Sequence, residues 1–499
     1  MAADTVEHIF LDAGNTLRII TGAECQIDFP RQSLEWLSLM YFLYSVLLAL
    51  AMLVTLPYWV FQMLRHGKYR AGLWERLGRV PVRLRTASIE TSSAQRVSPN
   101  PASQFSPVIW VHAVSVGEVM AIRGLVEDIR RRFAQSRVVV TTTTDTGQAL
   151  ARKTFGEDNA FYFPMDFGFA IRPYLQTLRP KLIIIAETEF WPNFLRLAHA
   201  RGSSIAVVNA RISDRSWPNY NRFSWLLKKV LPHIDLFLAQ TEADRKRLMA
   251  MGAPPKRVSV TGNLKFDLTL PAPPPIVDSV RQSLQQANAG PVLVCGSTVE
   301  GEEPLLLKAF ENILVRHPRA VMILAPRHPE RFNNVAALMA QMYIPFWRRS
   351  RWKDEPIASG VFLADTIGEL AALYALADIA FVGGSLVPRG GHNIIEPALY
   401  GVPIVVGNHT ENFRDIVGLF QGRNAVRVVG AAELPLVFME LLENDVDRAA
   451  LGRQALETIR SQTGATARTA QALEMLLAEN SARPGAPTPV AQARAGRDE

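Results

Sequence analysis

Carboxylates stand where apolar runs give way to helical spacing. Glu118 closes HAVSVGE (112–118), and none of the six residues before it in that stretch is acidic. The apolar PVIWV precedes it, and VMAIRGLVEDIRRRF follows with apolar residues at helical spacing. Glu118 is therefore expected in the first turn of a helix that follows a buried strand. A helix dipole favours the charged form of a carboxylate there, and a general base needs that form to take a proton from a hydroxyl. A plain helix cap would use the same residue type at the same place, and the sequence weighs the two readings evenly. A second stretch, AETEFWPN (186–193), follows another apolar run and offers Glu187 or Glu189 as a partner carboxylate.

The second half of the chain carries residues suited to phosphate. FVGGSLVPRGGHNIIEPALYGVPIVVGNHTENF (381–413) places Gly383, Gly384 and Ser385 at a strand end, where glycine lets backbone approach a ligand. RGGHN, with Gly391, leads into a helix expected to begin near Asn393, whose free N–H groups suit a phosphate. Glu396 in that first turn could accept hydrogen bonds from ribose hydroxyls. CGSTVEGEE puts Ser297 and Thr298 after another strand, and APRHPER puts Arg327 and His328 after a third. The arginine fork fits phosphate or carboxylate, or a surface salt bridge. Metal chemistry finds little support. Asp445 and Asp447 lie in a polar helical region, and the nine histidines show no ligand spacing.

These residues need a scaffold that gathers strand ends. Strand-like runs VIWVHAV, RVVVTTTT, KLIIIAE, SIAVVNA and LFLAQ alternate with helical stretches, and the alternation restarts after PAPPPIV at 271. All-apolar strands alternating with helices imply parallel sheets covered on both faces. The expected fold class is α/β, with two Rossmann-like domains at 107–270 and 277–470. Such sheets bind ligands outside the carboxyl ends of their strands, so two facing sheets would place both motif sets at one cleft.

Composition bounds the setting. The 499 residues carry 54 Lys+Arg against 46 Asp+Glu, a net charge of +8. That excess does not by itself point to nucleic acid, and it fits anionic lipid or phosphorylated substrates. Cys25 and Cys295 form no ligand pattern and read as reduced cytosolic thiols. Residues 36–64 contain no charged side chain, enough for a membrane-anchor helix. The basic residues Arg65, Lys68, Arg70, Arg76, Arg79, Arg83 and Arg85 follow, opposed only by Glu75. The positive-inside rule then puts everything after the anchor in the cytoplasm. The remainder of 65–106 reads as a flexible linker and 480–499 as a disordered tail. In the first 39 residues, HIFLDAGNTL resembles the opening motif of haloacid-dehalogenase-type phosphatases, with Asp12 in the nucleophile's place. The rest of such a fold has no room before the anchor, so either the match is accidental or the start is placed too early and Met40 is the true start, the reading favoured here.

HAVSVGE, ETEFWPN, VNARISDRS, GNLKFD, GST, APRHPER and GGSLVPRGGHNIIEPALYGVP occur in that order after an N-terminal anchor. From about Met40 to about 470 the chain resembles the 3-deoxy-D-manno-oct-2-ulosonic acid (Kdo) transferases of lipopolysaccharide synthesis. The resemblance implies a GT-B fold and inverting, metal-independent transfer of Kdo from CMP-Kdo to a lipid A precursor at the inner face of the cytoplasmic membrane. It implies no cofactor beyond the donor substrate. By motif, Glu118 would be the catalytic base and Glu189 the second essential carboxylate. Arg327, Gly383–Ser385, Asn393 and Glu396 would hold CMP, with Ser297, Thr298, His328 and Gly391 beside them. Arg211 and Lys265 would meet acceptor phosphates or the Kdo carboxylate. Two rivals remain at this point: a tethered CMP-sugar-binding scaffold without catalysis, and a GT-B enzyme using another donor nucleotide such as UDP.

Overall fold

The structure, a computed structural model, describes residues 6–11, 16–21, 29–66, 70–86, 107–214, 216–268 and 274–481. Asp12, most of the proposed linker and nearly all of the proposed tail lie outside the described residues. The chain forms two compact units, Met1–Leu264 with Gly464–Glu499, and Lys265–Thr463.

The first unit opens with a small antiparallel sheet of β1 (Val6–Leu11), β2 (Thr16–Thr21) and β3 (Phe29–Pro30). Helix α1 (Arg31–His66) follows and runs unbroken through Pro57. Its stretch Leu39–Arg65 has mean hydropathy 2.3 and is long enough to cross a bilayer. Then come β4 (Val108–His112), β5 (Arg137–Thr142), β6 (Ala160–Tyr162), β7 (Pro180–Ala186), β8 (Ser204–Ala210), β9 (Leu236–Ala239) and β10 (Val258–Val260). They form one parallel sheet in the order β10-β9-β8-β7-β4-β5-β6. Although β4 is buried throughout, its side chains sort by the two-residue period. Ile109 and Val111 pack with Ile122, Leu125 and Ile129 of the helix Val116–Arg132. Trp110 enters the opposite layer with Phe161, Tyr174 and Phe194.

The second unit repeats the plan with β11 (Val292–Thr298), β12 (Val321–Pro326), β13 (Phe346–Arg348), β14 (Gly360–Leu363), β15 (Ile379–Val382), β16 (Ile404–Gly407) and β17 (Arg427–Val429). Their parallel order is β13-β14-β12-β11-β15-β16-β17. Helices cover both faces of this sheet as well, giving two apolar layers.

Two expectations change. The boundary near 270 moves to Leu264/Lys265, and the helix Ala465–Ser481 joins the first unit although the reading to 470 gave its start to the second. Its Ala470 and Leu473 pack against the helix Val116–Arg132, and Asn480 Nδ2 donates to Ser204 Oγ at 2.7 Å. The basic stretch is also partly structural. Arg76 lies over the Tyr162 ring at 4.4 Å, and Arg83 pairs with Glu75 at 2.8 Å. Arg76 and Arg83, which also donates to Glu157 O and Ala160 O at 3.2 Å, hold the segment after α1 to the first unit, which leaves fewer charges for lipid head groups.

Candidate active site

Strand order reverses direction between β7 and β4 in the first sheet and between β11 and β15 in the second. Crevices outside the carboxyl ends of the strands at such switch points are where open α/β sheets bind ligands. HAVSVGE follows β4 and AETEFWPN follows β7. CGSTVEGEE follows β11 and GGSLVPRGGHN follows β15. The motifs picked out by residue type therefore occupy the two switch points.

In the first unit Glu118 sits in the first turn of the helix Val116–Arg132. Its Oε2 accepts the Val114 N–H at 2.7 Å, and its Oε1 accepts the Ser115 hydroxyl at 3.0 Å. Capping and chemistry thus fall on one residue, since each oxygen retains a free lone pair. Its charge state departs from expectation. Burial, then the charges of Glu187 and Glu189, push the carboxyl up to about 7 against the opposing Val114 and Ser115 hydrogen bonds. A half-buried position beside two carboxylates outweighs the helix dipole. Glu189 is raised too, by burial and then by Glu187.

The backbone beneath these groups is strained. Glu187, immediately after β7, has φ 59°, a left-handed conformation for a residue with a side chain. Such residues cost on the order of 1–3 kcal/mol and gather at functional sites. The turn is held by Glu187 N–H to Val208 O at 2.9 Å and Thr188 Oγ1 to Arg211 O at 3.0 Å. Arg211 is half-buried on the next strand edge, so it joins this site through its carbonyl. Lys265 is half-buried and belongs to the second unit. Beneath the motif His112 is fully buried, stacked on Phe163 at 4.0 Å, and burial drives its pKa down to about 3. It is a neutral core side chain.

The second unit corrects the phosphate reading. The turn after β15 does form a nest of N–H groups, but an internal anion fills it. Glu302, fully buried, accepts the N–H groups of Gly384 at 2.7 Å and of Ser385 and Leu386 at 2.9 Å. It also accepts Val299 N–H at 3.0 Å from its own loop. Gly383 N–H goes to Gly296 O at 2.8 Å. These N–H groups are therefore not available to CMP. Ser385 is 1% exposed, with its hydroxyl donating to Val382 O at 2.6 Å and accepting Gly407 N–H at 2.8 Å. Thr298 is fully buried and donates to Glu303 at 3.1 Å. Both side chains hold the frame and do not face a ligand. Gly383 is required by space, because a Cβ there would lie 2.6 Å from Ser297 O. The helix expected near Asn393 is only Ile395–Leu399, too short for a useful dipole, and Asn393 Oδ1 accepts Ile395 N–H at 3.2 Å.

Other residues do gather. Burial and then the charges of Arg327 and His328 hold His392 down to about 4. Burial raises Glu396 against an Asn393 hydrogen bond and the Arg327 charge. Arg327, His328, His392, Asn393 and Glu396 thus make one electrostatic cluster beside Gly391 and Gly384, with Arg327 and His328 exposed. Gly384 has φ 71°, and a Cβ on it would lie 2.8 Å from the His392 ring. Ser297, with φ 55°, forms a bulge where the β11/β12 register shifts. The counterpart of Glu187 in the other sheet is Gly384, which follows β15 across the switch point and also has a positive φ.

The sequence reading missed the two acidic residues that build this frame. Glu303, fully buried, takes both Nη1 and Nη2 of Arg331, at 2.7 and 3.1 Å. Glu302 ties the β11 loop to the β15 turn, and Glu303 ties it to the loop after β12. Two adjacent glutamates after a strand end, the last residues of CGSTVEGEE, were the available signal.

A sequence profile described as "3-Deoxy-D-manno-octulosonic-acid transferase (kdotransferase)" matches residues 72–268. The 3-deoxy-D-manno-octulosonic acid transferase of Haemophilus influenzae is 36% identical over 377 residues, 74% of this chain and 88% of that protein. The transferase of the same description from Bordetella pertussis is 35% identical over 428 residues, 83% and 94% of the two chains. A putative UDP-N-acetylglucosamine 2-epimerase from Listeria monocytogenes shares the fold, with TM-score 0.51 at 14% identity over 74% of this chain and 97% of that one. Its likeness, with the two parallel sheets, is that of the GT-B architecture. The chain belongs to the 3-deoxy-D-manno-octulosonic acid (Kdo) transferase family of glycosyltransferases.

Proposed function

We propose that this protein transfers Kdo from CMP-Kdo to a lipid A precursor in lipopolysaccharide synthesis, inverting the anomeric centre, with Glu118 as general base. The observation that carries the reading is the Glu118 carboxyl, raised to about 7 at the β4/β7 switch point with Glu189 beside it. A general base works best with a pKa near the operating pH. Glu118 takes the proton of the acceptor's sugar hydroxyl as that oxygen attacks the anomeric carbon. CMP leaves from the opposite face. Arg327 meets the developing phosphate charge, Glu396 accepts the ribose hydroxyls, and Ser297 and Asn393 line the nucleotide. Charge neutralisation by Arg327 leaves no step that requires a metal or other cofactor. Arg211 and Lys265 are assigned to acceptor phosphates or the Kdo carboxylate. Helix α1 attaches the enzyme to the cytoplasmic membrane, with both units in the cytoplasm, where CMP-Kdo is available.

The sign of the pH dependence follows from the Glu118 pKa. Below about 7 the carboxyl holds its proton and cannot accept another. The kcat/KM for transfer should rise about tenfold per pH unit below that midpoint and level off above it. A profile flat from pH 5.5 to 8.5 would remove Glu118 from the base role. Thermal-shift measurements separate the donor alternatives. CMP should raise the melting temperature more than UMP at equal concentration, whereas equal shifts or a larger UMP shift would point to another nucleotide donor.

A further inference from the structure

The apolar helix α1 is fastened to the first unit at its leading end. Tyr41, 4% exposed, hydrogen-bonds His233 Nε2 through its hydroxyl at 2.9 Å, and Arg196 lies over its ring at 4.6 Å. Tyr44 stands beside the Asp166 carboxylate. Ser45 Oγ accepts Asn193 Nδ2 at 3.0 Å, and Asn193 also donates to Asp166 O at 2.7 Å. The Asp166 carboxylate is fixed in turn by the N–H groups of Asn193 and Phe194 at 3.0 and 2.7 Å. Tyr41, Tyr44, Ser45, Leu48 and Met52 recur at helical spacing and are covered or half-covered, while Phe42, Leu43, Leu47 and Leu50 between them, and every residue from Leu53 to Phe61, are exposed.

The trailing end of α1 is tethered to the same unit. Gly72 lies on the Tyr162 ring so closely that a Cβ would come within 1.9 Å of it. Glu75 accepts the Tyr162 N–H at 3.0 Å. The segment from Arg65 to Gly72 reaches at most about 25 Å fully extended. From Tyr41 to Arg65 a helix rises about 36 Å. If α1 crossed a hydrocarbon core of about 30 Å, Tyr41 would stand on the far side of the membrane from the unit that carries His233, Asn193 and Asp166. The hydrogen bonds place it on that unit's own surface.

We infer that α1 does not cross the membrane. Its leading turns rest on the first unit and its exposed apolar surface, all round from Leu53 to Phe61, enters the acyl layer of one leaflet, so that both of its ends, and the residues ahead of it, are on the side of the two units. An interfacial helix ordinarily needs a polar face toward water. In the leading turns of α1, up to Met52, the protein itself covers that face, and from Leu53 to Phe61 the helix is exposed and apolar on every side, which suits immersion among acyl chains. The inference rests on the reading of α1 as the membrane attachment.

Topology mapping of the full chain decides the matter. An epitope tag is placed ahead of Met1, and spheroplasts are treated with protease before and after lysis. The tag should survive in intact spheroplasts and be lost on lysis. Loss of the tag in intact spheroplasts, with the protein in the membrane fraction, would overturn the flat placement and leave the attachment standing. Recovery of the protein in the soluble fraction would overturn the attachment and this inference with it.

Discussion

Glu118→Gln should abolish most Kdo transfer, with kcat lower by about 10²–10⁴-fold, while CMP should raise its melting temperature as much as that of the native chain. The substitution is nearly isosteric. Its amide oxygen can still accept the Val114 N–H, and its NH₂ can donate to the Ser115 hydroxyl oxygen, so the cap at the start of the helix survives. What disappears is the capacity to take up a proton. Stability moves the other way. The folded-state pKa of about 7 lies above the ordinary 4.5, so the native fold binds this proton more tightly than the unfolded chain does. The contribution of Glu118 to stability is therefore fully present below pH 4.5, is lost as pH rises towards 7, and is absent above that. The Gln variant should be at least as stable as the native chain at pH 8. Lost activity with a lower melting temperature at pH 8 would instead mark Glu118 as a structural cap.

Glu302→Ala should be the most damaging single change in the second unit. Four backbone N–H groups from the β11 loop and the β15 turn lose their shared acceptor. Breaking such a buried charged arrangement from one side costs about 3–5 kcal/mol. Denaturant unfolding should show that loss, and the surviving folded protein should bind CMP more weakly because the β15 turn beside His392 is no longer fixed. Glu302→Gln should fall between, since its NH₂ would meet two N–H donors head-on. Glu300→Ala, exposed in the same loop, should change stability by no more than about 0.5 kcal/mol. A Glu302→Ala protein as stable as the native chain would contradict the proposed frame.

Much of the scaffold could be read from residue order. Runs such as RVVVTT and SIAVVNA are β-branched and apolar, and the structure makes them β5 and β8. The edge strands β6, β10 and β13 were not seen, because three residues give no period to detect. The start of the C-terminal helix falls in the second unit on the sequence reading because its buried residues are mainly alanine and leucine. These could pack on either sheet, and the polar contacts that choose, Arg468 and Thr469 to Thr261, are between residues remote in sequence.

The site divided along a similar line. Residue type and strand-end position identified Glu118, Glu189, Arg327 and Glu396 as candidates. The charge state of Glu118 was not legible, because it depends on how deeply the helix start is buried and on Glu187 from a different strand end. The GGS turn was correctly placed and wrongly filled. A nest of N–H groups attracts an anion, and nothing in GGSLVPRGG shows that Glu302 of the β11 loop already supplies it.

The central claim is most directly tested by transfer itself. The purified full chain in detergent or membranes is given CMP-Kdo and a tetra-acylated lipid A precursor, and the lipid is analysed by mass spectrometry with CMP release followed in parallel. The account predicts lipid heavier by one or more Kdo residues, with CMP released in proportion. CMP-Kdo left intact with an unmodified acceptor, while a UDP-sugar is consumed under the same conditions, would contradict it.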